Sequence, residues 1–128
     1  PPMKVNAVHI GMCAVIAPEG RLDLAGADAL DAAIEAEHRK SIHHFAIDLK
    51  RVDFISSAGL RVLLKLARTL LSSGGELRVV KPPAAVYEIF ENARLDQLFT
   101  FYISLDQALQ NWASAGVGPQ KKADSAES

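Results

Sequence analysis

The sequence contains one cysteine, no long apolar run and almost no net charge. Cys13 alone cannot form an internal disulfide or a multi-cysteine metal site, so we expect a reducing, cytoplasmic environment. No apolar stretch approaches the roughly 18 residues that a membrane span needs. The formal net charge of -1 gives no general attraction to nucleic acid or to anionic lipid. We therefore expect neither nucleic-acid nor membrane binding.

Motifs of common catalytic and cofactor sites are also missing. The sequence has no G-x-S-x-G elbow, no P-loop and no G-x-G-x-x-G. The glycines of "SSGGEL", residues 72–77, follow a helical pattern, whereas a phosphate cradle precedes a helix. We interpret them as a helix C-cap. These absences predict a protein that is not an enzyme and holds no cofactor or metal.

The chain of 128 residues is 49% hydrophobic, which suits one compact domain with its own core. We place this domain at residues 3–113. Residues 114–128, "SAGVGPQKKADSAES", are mostly small and polar, which predicts a flexible C-terminal tail.

Strand and helix patterns alternate along the chain. Two short strands flank Gly11 within residues 5–17, and "PEGRLD" breaks the pattern after them. Further strands are expected at 45–49, 76–80 and 99–103, with helices beginning after Asp23, Ser57, the "KPP" segment and Ser104. The order β-β-α-β-α-β-α-β-α predicts an α/β fold with a mixed, mostly parallel sheet of four to five strands and about four helices.

Two adjacent serines, Ser56 and Ser57, precede a leucine-rich helix. A serine hydroxyl there would cap the helix, worth ~1 kcal/mol, while a helix start also stabilises a bound phosphate. Both interpretations stay open on these residues alone. Gly59 costs roughly 1 kcal/mol relative to alanine inside a helix, which suggests that another surface approaches closely. The expected buried stripe of the helix comprises Leu60, Leu63, Leu64, Ala67, Leu70 and Leu71.

Histidines and one aspartate are the other chemical candidates. His43 and His44 would point to opposite faces of a strand, so we predict surface or loop histidines rather than a chelate. Cys13 is expected to be a small core residue. Asp48, at the end of "FAIDL", either needs buried partners or marks the exposed end of the strand.

Residues 48–99 resemble the STAS domain of bacterial anti-sigma factor antagonists. The family pattern has an aspartate-ended strand, "hDSSGL", a leucine-rich helix, "GG", a strand and a helix leading to "sGLdqlf"; this chain has "FISSAGL", "SSGGEL" and "NARLDQLF" at the matching places. "GRLD", residues 20–23, is similar to the family's "GELD". The likeness extends from about residue 5 to residue 112.

The resemblance implies a partner-switching regulator. The unphosphorylated antagonist would bind an anti-sigma factor that is also a serine kinase, and so release the sigma factor. Phosphorylation would end that binding, and a PP2C-type phosphatase would reverse it. Alignment with the family places the phosphorylated serine at Ser57, with Ser56 as a competing acceptor. The implied partner-binding residues are Asp23, Ser56, Ser57, Ala58, Gly59, Leu60 and Arg61.

Two departures and one alternative accompany this resemblance. Ser56 stands where the family has aspartate, which removes a negative charge beside the acceptor, and Ala58 replaces the second serine. The basic stripe of Arg61, Lys65 and Arg68 is either a solvated helix face or a docking face. The alternative function is a constitutive, unphosphorylated STAS scaffold subunit of a transporter ATPase or of a signalling assembly.

Overall fold

The computed structural model describes residues 3–110 and Trp112. The segment 114–128, predicted as a tail, lies outside the described residues. The elements in chain order are β1 (Lys4–Ile10), β2 (Cys13–Leu22), α1 (Leu24–His38), β3 (His44–Asp48), β4 (Val52–Ile55), α2 (Ser57–Ser73), β5 (Glu76–Val80), α3 (Ala84–Asn92), β6 (Thr100–Tyr102) and α4 (Leu105–Leu109).

One mixed sheet organises the chain. Its strands lie in the order β1-β2-β3-β5-β6, with β4 paired to the carboxyl end of β2. Only the β1–β2 pair is antiparallel, and the β2–β3, β2–β4, β3–β5 and β5–β6 pairs are parallel. The predicted α/β fold with a mostly parallel sheet and four helices is confirmed.

The structure adds a strand and lengthens another. Segment "VDFI" forms β4, and β2 continues through "PEGRL", where the sequence had indicated a break. The last residues of β2 pair with β4, and the register of this pair shifts between Gly20 and Arg21, where β4 contains the extra residue Asp53. Gly20 has a φ of +111°, a conformation that side chains disfavour, and it lies where the pairing of β2 with β1 has ended and its pairing with β4 begins. The segment that was expected to break the pattern is therefore the last part of a strand.

The helices α1, α2 and α3 cover one face of the sheet, called here the front face. Within α2 the buried leucines are Leu60, Leu63, Leu66 and Leu70. The prediction included Leu64 and Leu71, but Leu64 is half-buried and Leu71 is 82% exposed. In a segment this rich in leucine, the 3-4 spacing fits two adjacent phases of the helix, and packing on the sheet selects the phase that contains Leu66.

The opposite face, called here the back face, carries a smaller core. It comprises Cys13, Val15, Ala46, Val80, Ala108 and Trp112, all buried. Cys13 is therefore a core residue, as predicted. His44 is only 8% exposed, because Trp112 stacks on its ring, so the expectation of a surface histidine was wrong at this position. His43 is half-buried.

Candidate functional site

Two helices begin side by side at the carboxyl edge of the sheet. Leu22 at the end of β2 pairs with Ile55 at the end of β4. The next residue of each segment caps a helix: Asp23 caps α1 and Ser56 caps α2. The Asp23 carboxylate accepts a hydrogen bond of 2.9 Å from the backbone N–H of Gly26. Parallel pairing of β2 and β4 thus brings the two helix starts together.

Ser56 uses its hydroxyl twice within the fold. The hydroxyl donates to the carbonyl oxygen of Leu22 at 2.8 Å and accepts from the backbone N–H of Gly59 at 3.2 Å. The backbone N–H of Ser56 donates to the same Leu22 oxygen at 2.9 Å. Ser56 therefore both caps α2 and ties its start to the end of β2.

Ser57 is the first residue of α2 and is exposed. Its side chain makes no hydrogen bond to any of the described residues. The cap and the candidate acceptor, which the sequence left open for either serine, thus fall on different residues. Ser56 holds the backbone, and the hydroxyl of Ser57 remains accessible to an enzyme.

Gly59 packs against the protein's own chain. A Cβ on this residue would lie 2.9 Å from Cγ1 of Ile55 and 3.2 Å from the Leu22 carbonyl oxygen. The close approach that the sequence suggested is therefore internal, and its partner is the end of β2 rather than an outside surface. Gly59 and Leu60 are buried beneath the site.

The remaining predicted docking residues differ in exposure. Asp23 and Arg61 are exposed, and Ala58 is half-buried. Sequence reasoning missed Leu24, the first residue of α1, which follows Asp23 and is 69% exposed. The sequence signal that could have identified Leu24 is its place directly after the N-cap, on the side of α1 that does not face the core. The edge therefore presents an apolar side chain together with Ser57 and two opposite charges.

The charge around this edge is balanced. A shallow cavity of about 590 Å³ beside Asp23 is lined by three cationic and three anionic side chains: Lys4, Arg21, Arg51, Glu19, Asp23 and Asp53. Arg21 also lies over the ring of Phe54, with its guanidinium carbon 4.2 Å from the centroid. No single sign of ligand charge is favoured by such a lining.

The basic stripe on α2 is divided between two roles. The ammonium of Lys65 lies 2.9 Å from Oδ1 of Asp31 and 3.9 Å from Oε2 of Glu35, both on α1. The hydrogen bond to Asp31 raises the pKa of Lys65. Arg61 and Arg68 are exposed and make no ion pair with any described residue. Lys65 thus joins the two helices, while the arginines stay available to a partner.

Asp48 resolves the choice that the sequence left open. It is 4% exposed, at the carboxyl end of β3. Its carboxylate accepts from the backbone N–H of Lys50 at 3.1 Å and lies 3.7 Å from the Lys50 ammonium. The buried carboxylate therefore has local partners that offset its desolvation.

Within residues 3–110 and Trp112, no group of three or more histidine, cysteine, aspartate or glutamate side chains could hold a metal ion. In the same part of the chain, every helix is too short or too polar to cross a membrane.

Comparison with known proteins agrees with this architecture. The profile of the STAS domain family matches residues 4–108. The chain belongs to the STAS domain family. The match includes both helix starts at the carboxyl edge and all six strands.

Relatives of this STAS domain share most of its length. A Bordetella bronchiseptica protein, BtrV, described as a candidate anti-sigma factor antagonist, is 32% identical over 113 residues, covering 88% of this chain and 97% of the relative. The crystal structure of an anti-sigma factor antagonist from Mycobacterium paratuberculosis is 30% identical, with a TM-score of 0.75 and coverage of 84% and 91%. A Thermotoga maritima structure at 20% identity and a TM-score of 0.77, covering 83% of this chain and 92% of that one, shares the fold.

We predict that alanine at the two serines will have unequal effects on stability. Ser56→Ala removes the cap and the tie to Leu22, and should lower the free energy of unfolding by about 1–2 kcal/mol. Ser57→Ala removes an exposed hydroxyl and should change it by less than about 0.5 kcal/mol. Urea denaturation measures both, and Ser56→Thr, which keeps the hydroxyl, should recover most of the loss. Equal losses for the two alanine variants would contradict these roles.

We predict that Gly59→Ala destabilises the protein, although alanine is the better helix former. The added methyl group would overlap Ile55 and crowd Leu22, at a cost of about 1–3 kcal/mol. Thr69→Ala, at an exposed position of the same helix, is the control and should be neutral or slightly stabilising. A gain of stability in Gly59→Ala would show that the start of α2 is not packed tightly on β2.

Proposed function

We propose that this STAS domain is an anti-sigma factor antagonist that acts by binding rather than by catalysis, and that phosphorylation of Ser57 ends the binding. The observation that carries the proposal is the division of labour between the adjacent serines. Ser56 is fully used in capping α2, while Ser57 is exposed at the helix start with no internal hydrogen bond among the described residues. A kinase could modify Ser57 without disturbing the fold.

The names of the relatives support the antagonist role. Two relatives that are at least 30% identical over most of this chain carry the description of anti-sigma factor antagonist. We propose that the partner is an anti-sigma factor with serine kinase activity, and that a PP2C-type phosphatase restores the binding form. ATP and magnesium would then belong to the kinase, so this domain needs no cofactor of its own.

The proposed docking surface is the carboxyl edge of the sheet. Its exposed members are Asp23, Leu24, Ser57 and Arg61, with Ala58 half-buried among them. Ser56, Gly59 and Leu60, which the sequence placed in the same surface, support it from beneath. An exposed leucine next to the acceptor is well suited to this role, because contact with a partner would remove both side chains from water.

The charge of a phosphate can supply the switch. Phosphoserine carries about -1.5 to -2 charges at neutral pH. Changing a complex from 99% bound to 99% free requires about 5.5 kcal/mol of differential stability. An unpaired dianion held in a desolvated contact with the partner would supply an energy of that order. Arg61, one turn further along α2, would reduce the effect if it paired with the phosphate.

We predict that the anti-sigma factor kinase proposed as the partner transfers one phosphate to this protein at Ser57. Intact-mass measurement after incubation with the kinase, ATP and magnesium should show one added phosphate on the wild type and on Ser56→Ala. Ser57→Ala should show none. Peptide fragmentation assigns the site, and phosphate on Ser56 in the wild type would contradict the assignment.

We predict that Ser57→Asp weakens binding to the anti-sigma factor partner by roughly 100-fold. The reason is that an unpaired charge in a desolvated contact costs about 3 kcal/mol. Ser72→Asp adds the same charge at the exposed far end of α2 and should leave the dissociation constant unchanged. Calorimetric titration measures both. If Ser57→Asp leaves the tight binding unchanged and the wild type takes up no phosphate, the constitutive scaffold function is favoured instead.

A further inference from the structure

A small C-terminal unit covers the back face of the sheet, opposite the face that α2 covers. This unit consists of α4, only five residues long, and Trp112, which is fully buried. It rests on Cys13, Val15, Ala46 and Val80. A helix of this length has little stability of its own. Its contacts with the sheet must therefore hold it in place.

A single buried arginine makes most of the polar contacts of this unit. Arg78, on β5, is 3% exposed. Its Nη1 donates to the carbonyl oxygens of Ala108 at 2.8 Å and Gln110 at 3.2 Å, at the end of α4. Its guanidinium carbon lies 4.1 Å from the centroid of the Trp112 ring. One cation thus satisfies the last carbonyls of the helix and packs on the indole.

Glu76 binds both Arg78 and Trp112. Its carboxylate accepts from Nε of Arg78 at 3.1 Å and from the indole N–H of Trp112 at 3.3 Å. Arg78 also lies 5.2 Å from the ring of Tyr102 on β6. The polar contacts that hold α4 and Trp112 therefore converge on a single ion pair of β5.

His44 also packs on the indole of Trp112. The two rings stack with centroids 5.2 Å apart and an interplanar angle of 16°. Nδ1 of His44 is buried and has no hydrogen-bond partner among the described residues. A proton added to this ring would place a second buried cation beside Arg78, with Glu76 as the nearby anion.

We propose that α4 and Trp112 form a detachable clamp on the back face, locked by Arg78 and released when His44 takes up a proton. Release would uncover Cys13, Val15, Ala46 and Val80. Cys13 and Val15 pair across the β1–β2 hairpin with Ile10 and Val8, which are already 37% and 55% exposed. The open form would present one continuous apolar surface from β1 to β5.

The electrostatics fix the direction of the pH dependence. Burial is the largest influence and lowers the pKa of His44. Glu76 and the backbone of His43 oppose the shift, and the charges of Arg78 and His43 add to it. The other titratable groups at the clamp are Cys13 and Tyr102, whose pKa values burial raises, so both stay neutral. A lowered pKa means that the closed clamp prefers neutral His44. Its stabilisation is present above the ordinary histidine pKa of about 6.5 and is lost as the pH falls through the lowered value.

The sequence supplies two reporters of clamp opening. The chain has one cysteine and one tryptophan, and both lie in the clamp core. The rate at which Cys13 reacts with 4,4′-dithiodipyridine measures exposure of the thiol, and the emission maximum of Trp112 measures exposure of the indole. Rates are compared between variants at the same pH, so that titration of the thiol itself cancels.

For the full chain at neutral pH, Arg78→Met should raise the Cys13 reaction rate by about tenfold or more, through local opening. Leu77→Ala is the matched control, because Leu77 is the adjacent residue of β5 and packs in the front core. In Leu77→Ala, Cys13 should become exposed only through global unfolding. Urea distinguishes this from local opening of the clamp. The Cys13 reaction rate depends weakly on urea when exposure is local, because little surface is exposed, and steeply when exposure requires global unfolding. If Arg78→Met does not fold, Arg78→Lys should show the same increase, because lysine keeps the positive charge but lacks the several N–H donors of the guanidinium group.

Lowering the pH tests whether protonation of His44 opens the clamp. Between pH 7.5 and pH 5.5, the ratio of the Cys13 rate in the wild type to that in His44→Phe should rise by about tenfold, because phenylalanine can stack but cannot titrate. The emission of Trp112 should shift to longer wavelength in the wild type alone. The clamp proposal would be overturned if the ratio of the two rates did not change with pH. It would also be overturned if the Cys13 rate in Arg78→Met depended on urea as steeply as it does in Leu77→Ala.

Discussion

The carbonyl oxygen of Leu22 accepts two hydrogen bonds from Ser56, and the candidate site depends on this junction. Through it the end of β2 is joined to the start of α2, more than thirty residues later in the chain. Asp23 begins α1 from the same point, and Gly59 lets α2 approach within contact of Leu22 because it has no side chain. The two helix starts therefore form a single rigid edge. A partner that docks there meets a surface whose geometry is already set.

Local patterns in the sequence were enough to predict most of the fold. Alternating strand and helix periods gave the order of the main elements, and Asp23 and Ser104 were recognisable as helix caps because capping depends on residues three positions apart. The family resemblance then pointed to the edge of the sheet at which α1 and α2 begin. What could not be predicted is which partner each side chain meets across the fold. Ser56 caps α2 through Gly59 in the same segment, but nothing within the segment 54–64 indicates that its hydroxyl also donates to the carbonyl oxygen of Leu22.

The other misses have the same cause. β4 is four residues long and is stabilised by pairing with the last residues of β2, which were themselves hidden behind a glycine and a proline. His44 looked like a surface residue among polar neighbours, but Trp112 covers it from the far end of the chain. In each case a contact between distant segments overrides the local signal.

The placement of Ser57 also explains how a modification could act without a change of shape. Because its hydroxyl makes no hydrogen bond to the described residues, a phosphate there would replace nothing that holds the fold together. The added charge would act on whatever faces the edge, so the effect on a partner and the effect on stability are separable. A phosphate on Ser56 would behave differently, since it would remove the donor to Leu22 and displace the N–H of Gly59. Of the two adjacent serines, Ser56 thus holds the fold together, and Ser57 is the one that would carry the phosphate under the proposed function.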